Sequence, residues 1–161
     1  MLPKIESYFK RDSDKNKIKV YPEFDYKINF DGCSKGNPGL SGAGAVIYHH
    51  DNEIWSGDIF VGEKSTNNQA EYIGLILGLQ NAKALNIRNI KVEGDSLLVI
   101  NQMNGIYKCK SDKLFEYYKK AKEIEEFFDV IEYHHIFRNK NKRADELSNI
   151  AIEKYLMREA F

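Results

Sequence analysis

Residues 26–39 read YKINFDGCSKGNPG. Tyr26, Ile28 and Phe30 alternate with polar side chains, the two-residue period of a strand with one buried face. Asp31 closes that run. Gly32 to Gly42 reads as a glycine-rich loop, because Asp-Gly and Asn-Pro-Gly favour turns. Outward from there, Ala43–Tyr48 is strand-like. His50-Asp51-Asn52-Glu53 reads as a hairpin turn into a third strand, about Ile54–Val61. Three hairpin-linked strands open the domain.

The pattern then changes. Asn67–Ala84 carries Ile73, Leu75, Ile76, Leu77 and Leu79, apolar on most sides, which predicts a deeply packed helix. Ile90–Glu93 is a fourth strand, followed by a short helix over Ser96–Met103 that Asn104-Gly105 ends. Leu114, Tyr117, Tyr118, Ala121, Ile124 and Phe128 recur at helical spacing across 111–128. Val130–Phe137 is a fifth strand. A last helix begins near Ala144, with Leu147, Ala151 and Tyr155 on the same side. Strands by hairpin followed by alternating helices and strands predict an α/β domain with a mixed five-stranded sheet, three antiparallel strands then two parallel, flanked by helices.

The 161 residues suffice for about one domain with a substantial core. The 24 basic and 24 acidic residues balance, which argues against a globally basic nucleic-acid binder while leaving room for a local basic groove. Cys33 and Cys109 are too few for a disulfide scaffold, and with no signal peptide or long apolar run this predicts an intracellular setting. Residues 1–25 are polar and mixed in charge. They read as a flexible extension before a folded domain over 26–161.

Four acidic residues fall at element ends: Asp31 after the first strand, Glu71 in the first turn of the first helix, Asp95 after the fourth strand, Asp145 at the start of the last helix. Four carboxylates drawn together raise one another's pKa and call for cations. Hard oxygen ligands suit Mg²⁺, with Mn²⁺ able to substitute. A carboxylate cage holding two such ions about 3.5–4 Å apart is a device for phosphodiester hydrolysis. Each segment also has a plainer reading. The 31–39 stretch makes a turn, Thr66 or Asn67 caps a helix, Asp95 or Ser96 caps another, and 138–143 is a solvated basic loop before a helix with an acidic first turn. Capping leaves Asn68 and Gln69 unexplained, whereas amides at a helix N-terminus suit sugar hydroxyls or base edges.

In this order DGCSKGNPG (31–39), TNNQAEY (66–72), GDS (94–96) and NKRADELSN (141–149) resemble the type 1 ribonuclease H family, over about Tyr26 to Lys154. The resemblance implies a ribonuclease H-like fold and cleavage of the RNA strand of RNA–DNA hybrids with two Mg²⁺ ions, leaving 5′-phosphate and 3′-hydroxyl ends. It implies that Asp31, Glu71, Asp95 and Asp145 bind the metals, with Asp31 bridging. It implies that Gly36, Asn37, Asn68 and Gln69 read the RNA strand's minor groove and 2′-hydroxyls. Two departures stand out. The basic helix of many bacterial members is missing, so substrate grip falls to Lys108, Lys110 and the 138–143 loop. The catalytic-loop histidine is missing too, so Arg138 takes the auxiliary role, while His134 and His135 read as structural. This pattern is closer to the compact archaeal-type branch, some of whose members also cut double-stranded RNA.

Near the N-terminus, Ile5, Tyr8 and Phe9 resemble a sliding-clamp-binding peptide, with Leu2 where the usual glutamine stands. A short helical turn would seat those side chains in a groove of the clamp. Two other functions compete with hybrid cleavage: a non-catalytic RNA- or hybrid-binding module of the same fold, and another nuclease of that fold such as a resolvase. Four intact carboxylates argue against the first, since anionic groups without metals repel phosphates. The Asn68-Gln69 amides argue against the second.

Overall fold

The strand that carries Asp31 lies at the centre of the sheet. In the computed structural model, which describes residues 23–160, the strands are β1 (Tyr26–Lys35), β2 (Gly39–His49), β3 (Asn52–Ser65), β4 (Asn89–Gly94) and β5 (Val130–His135). The helices are α1 (Asn67–Ala84), α2 (Leu97–Met103), α3 (Asp112–Glu125) and α4 (Lys142–Glu159). The sheet order is β3-β2-β1-β4-β5. The β1–β2 and β2–β3 pairs are antiparallel and the β1–β4 and β4–β5 pairs parallel. That is the mixed sheet expected from the sequence. A single helix, α3, lies between α2 and β5 among the described residues. The clamp-like residues Ile5, Tyr8 and Phe9 lie outside the described residues.

Why α1 forms is visible locally. Thr66 accepts from the Gln69 N–H, and the Gln69 side chain accepts from the Thr66 N–H, a reciprocal capping box. Tyr72, Leu75, Leu79 and Ala82 are then fully buried. Each large apolar side chain so buried contributes about 1.5–3 kcal/mol before entropy is counted. The α3 stripe packs less completely. Leu114 and Ala121 are buried, while Tyr117, Tyr118 and Ile124 lie half-buried against the same core.

The glycine-rich segment departs from expectation. Gly32 to Gly42 is mostly paired strand, with Gly32 opposite Ala43 and Lys35 opposite Leu40. Only Gly36-Asn37-Pro38 turns, with positive φ at Gly36 and Asn37. Asp31 is therefore in the middle of β1 rather than at its end. Two of these glycines serve close helix approach instead of a loop. A Cβ on Gly32 would lie 2.2 Å from the Ala70 carbonyl carbon in α1, and one on Gly42 would lie 2.2 Å from the Ser148 oxygen in α4. β5 ends at His135, short of the expected Phe137, and a 3-10 turn over Arg138–Lys140 leads into α4.

Gly74 tests the close approach. Its absent Cβ would sit 2.5 Å from the Asp31 carbonyl oxygen. Helix propensity alone makes Gly74→Ala stabilising by about 1 kcal/mol. The clash makes it destabilising by roughly 1–3 kcal/mol. A urea titration should show the midpoint falling, and a rise would refute the approach.

Candidate active site

β1 continues past the end of β4. The parallel register stops at Phe30 opposite Gly94, so Asp31 and Asp95 both lie just beyond the last paired residues. Ligand sites in α/β sheets gather at such carboxyl ends. α1 adds Glu71 from one helical turn beyond its cap, after rather than within its first turn. Ligand oxygens of Asp31, Glu71 and Asp95 lie within 4.8 Å of one another.

Asp145 arrives from α4. Gly44, paired with Asp31, has no side chain to hold α4 away, and the Leu147 Cβ lies where a Gly44 Cβ would meet it at 2.5 Å. The buried Asn141 donates from Nδ2 to the Phe30 carbonyl at 2.9 Å, tying the helix start to β1. Asp145 faces the same cleft, of about 370 Å³, as Asp31, Gly32, Cys33, Asn67, Glu71, Asp95, His135, Phe137 and Arg138. It interacts with Asp31 but stands outside the tight group of three.

The electrostatics are strained in the way a cation site requires. Burial, then the Asp95 charge, pushes the Asp31 carboxyl up to about 8. Burial and the Asp31 charge raise Glu71 well above the carboxylate range. The two lie side by side, and their like charges oppose ionising both. Glu71 Oε2 is buried and has no hydrogen-bond partner among the described residues. A buried acceptor left unpaired costs about 1–3 kcal/mol, so the site favours any group that can coordinate that oxygen. Hard divalent cations bind oxygen donors of this kind, and the donor set fits Mg²⁺ or Mn²⁺.

The other candidate residues are distributed unevenly. Arg138 lines the cleft, 81% exposed, with Nη2 3.9 Å from Asp145 Oδ1. Asn37 lies in the β1–β2 turn and accepts the Asn67 N–H at 2.9 Å, joining Gly36 and its turn to the start of α1. Asn68 and Gln69 are half-buried at the same helix start. The Gln69 carbonyl is taken by the capping box, so capping explains part of what the sequence left open. Lys108 is exposed in the α2–α3 connection and is not among the residues lining the cleft.

Sequence reasoning passed over three residues. Asn67 lines the cleft rather than capping α1. His134 does behave structurally, pairing with Glu132 at 2.8 Å, but His135 lines the cleft. Its ring meets the 71% exposed Phe137 edge-on at 5.8 Å. Strand alternation was the available signal, because it sends neighbouring residues of β5 to opposite faces.

The profile of the reverse-transcriptase-like family matches residues 29–151. The bifunctional protein Rv2228c of Mycobacterium tuberculosis is 39% identical over 128 residues, covering 78% of this chain and 35% of that protein. The solved structure of its N-terminal RNase H domain superposes with a TM-score of 0.79 at 37% identity, covering 83% of this chain and 97% of that one. Ribonuclease HI of Halobacterium salinarum is 38% identical over 125 residues, covering 77% of this chain and 62% of that protein. LC11-RNase H1, isolated from compost and solved in complex with an RNA/DNA hybrid, is 37% identical with a TM-score of 0.77, covering 81% of this chain and 99% of that one. The chain thus spans about a third of the mycobacterial protein and under two thirds of the halobacterial one.

The raised carboxyls make a stability prediction. Asp31 titrates near 8 in the folded protein against an ordinary 3.8. The folded state therefore holds the extra proton, and stability falls as pH rises through that window. In chelator, Asp31→Asn should melt higher than the parent at pH 8, by about 3 °C or more. The gap should close toward pH 4. Thermal melts that coincide at every pH would contradict the assigned strain.

Proposed function

The chain belongs to the type 1 ribonuclease H family, and from that membership we propose that it is an endonuclease hydrolysing the RNA strand of RNA–DNA hybrids. One observation carries the reading to this site: three carboxylates converge within 4.8 Å at a strand's carboxyl end, one of them with a buried, unpartnered oxygen. A structural role would leave such oxygens paired. Asp31, Glu71 and Asp95 would hold one divalent cation, and Asp31 with Asp145 a second. Mg²⁺ is the proposed ion, with Mn²⁺ as a substitute. Such ions, when bound, supply charge stabilisation and an activated water for in-line displacement at phosphorus.

The chain's own residues supply the rest. β1, α1 and α4 fix the carboxylates before substrate arrives, so little reorganisation is left for the reaction. Arg138, exposed at the cleft edge, would meet phosphate oxygens and the charge that develops on them. Asn68 offers a complete amide at the α1 start. Gln69 offers its NH₂ group, which suits a 2′-hydroxyl as acceptor. Asn37 buttresses the α1 start through Asn67, and Gly36 lets the backbone turn there. Phe137 presents an apolar face beside Arg138 that suits a sugar ring. Lys108 would act at a distance from the cleft, on a flanking phosphate.

One labelled sequence prepared as RNA–DNA hybrid, double-stranded RNA and double-stranded DNA tests this, with Mg²⁺, Mn²⁺ or chelator. Metal-dependent cutting of the hybrid's RNA strand is expected, and Asp31→Asn should abolish turnover while still binding hybrid. Asn68→Ala should slow hybrid cleavage with little change in melting temperature. Gln69→Ala should also lose about 1 kcal/mol of stability through the capping box. A well-folded protein that cuts nothing would leave a binding module as the better account.

The N-terminal peptide is proposed to engage a sliding clamp. Immobilised clamp should retain the full chain and lose the Ile5→Ala/Tyr8→Ala/Phe9→Ala variant. Equal retention removes the idea.

A further inference from the structure

We infer that Asn149, its amide held between Lys35 and the Asp145 carbonyl, is a positioning residue for the Asp145 carboxylate and so for the divalent cation that Asp145 would hold. The inference rests on the two-cation reading of the cleft. It starts from a contrast between the carboxylates. Asp31 and Glu71 are buried and locked by their surroundings, whereas the Asp145 side chain is about a third exposed and comes from a separate helix. Something must hold it, or its oxygen would sample several rotamers.

Asn149 lies one helical turn further along α4, on the same face. Its Nδ2 donates to the Asp145 carbonyl at 2.9 Å and approaches Asp145 Oδ1 at 3.4 Å. On its other side, Lys35 Nζ lies 2.7 Å from Asn149 Oδ1, and Cys33 Sγ lies 3.9 Å from the same oxygen. Lysine has only donors. The amide atom facing it must therefore be the oxygen, and the NH₂ group must face Asp145. Lys35 thereby holds the amide in the orientation that the Asp145 carbonyl, an acceptor only, also demands, pinning it from both ends. Reversed, the amide oxygen would face a carboxylate and repel it. β1 thus reaches Asp145 twice, through Asn141 at the helix start and through Lys35 and Asn149 one turn on.

The sign of one substitution separates this arrangement from plain electrostatics. Lys35 is a cation near a cation site, so by charge alone Lys35→Met should tighten divalent binding. If Lys35 acts by orienting Asn149, the same change weakens it. Mg²⁺ and Mn²⁺ are titrated calorimetrically into the full chain without nucleic acid, for the parent, Lys35→Met, Lys35→Arg, Asn149→Ala, the Lys35→Met/Asn149→Ala double variant and Asp145→Asn. Asn149→Ala should weaken the affected site about tenfold or more, the usual effect of removing a ligand's supporting partner. Lys35→Met should weaken it about two- to tenfold, Lys35→Arg should retain affinity, and the double variant should bind no worse than Asn149→Ala, because the two act in series. Melting curves in chelator establish that each variant folds. If Asn149→Ala does not fold, the exposed Lys35 pair carries the test. Unchanged or tighter binding by Lys35→Met overturns the inference. Asp145→Asn separates the two levels. If it leaves binding intact, the cation reading of Asp145 is wrong; if it weakens binding while Asn149→Ala does not, only the positioning role fails.

Discussion

Everything at this site depends on holding like charges together. At 4–5 Å and an effective dielectric near 20, each ionised carboxylate pair costs about 4 kcal/mol. The fold meets that cost by sandwiching β1 between two helices that cannot move apart without losing their cores. α1 rests on the backbone of β1 because Gly32 and Gly74 leave no side chain between them, and α4 rests on β2 because Gly42 and Gly44 do the same on the other face. Buried Tyr72, Leu75 and Leu79 hold α1 down, and Leu147 and Ala151 hold α4. The carboxylates are brought together by packing that owes nothing to them. Their strain appears as protonation, in the raised Asp31 and Glu71, rather than as distortion.

The two helices divide the work unequally. α1 delivers Glu71 into a buried position, where one of its oxygens has no hydrogen-bond partner among the described residues. α4 delivers Asp145 to the open side of the cleft, beside the exposed Arg138 and within reach of Asn149. A ligand carboxylate that is rigid by burial needs no supporting partners, whereas one at the rim does. That difference gives Asn149 its place beside the Asp145 carboxylate.

Much of this was legible in the chain. The α1 bounds, Asn67–Ala84, came directly from hydrophobic content and a capping signal, and those are local properties. Glu71, Asp95 and Asp145 could be named because each lies near an element boundary that local pattern marks, and Asp31 because it borders the glycine-rich segment, although the strand runs on past it. The glycines were misread as a loop for a physical reason. A turn with positive φ and a close helix approach both require a missing Cβ, and sequence cannot distinguish them without knowing what packs above. Gln69 was half-read for a similar reason, since one amide can cap with its oxygen and still present its nitrogen. Asn149 went unnoticed because its meaning lies in Lys35, which is 114 residues away in the chain. No local window contains both.

The balanced charge of the whole chain bears on how such a site would engage a polyanion. With 24 basic and 24 acidic residues there is no global attraction to draw nucleic acid in. Lys108 is exposed away from the cleft lining, and the cleft itself is ringed by carboxylates with Arg138 as its lining cation. A phosphodiester entering that cleft without cations meets net repulsion. Under the proposed function, then, the ions would do two jobs, supplying chemistry and reversing the sign of the surface that substrate must approach. Cation and hybrid binding would be coupled, and by linkage the coupling would run both ways, each raising the affinity for the other by the same factor. In that arrangement whatever steadies the rim carboxylate on α4 would act on the affinity for both.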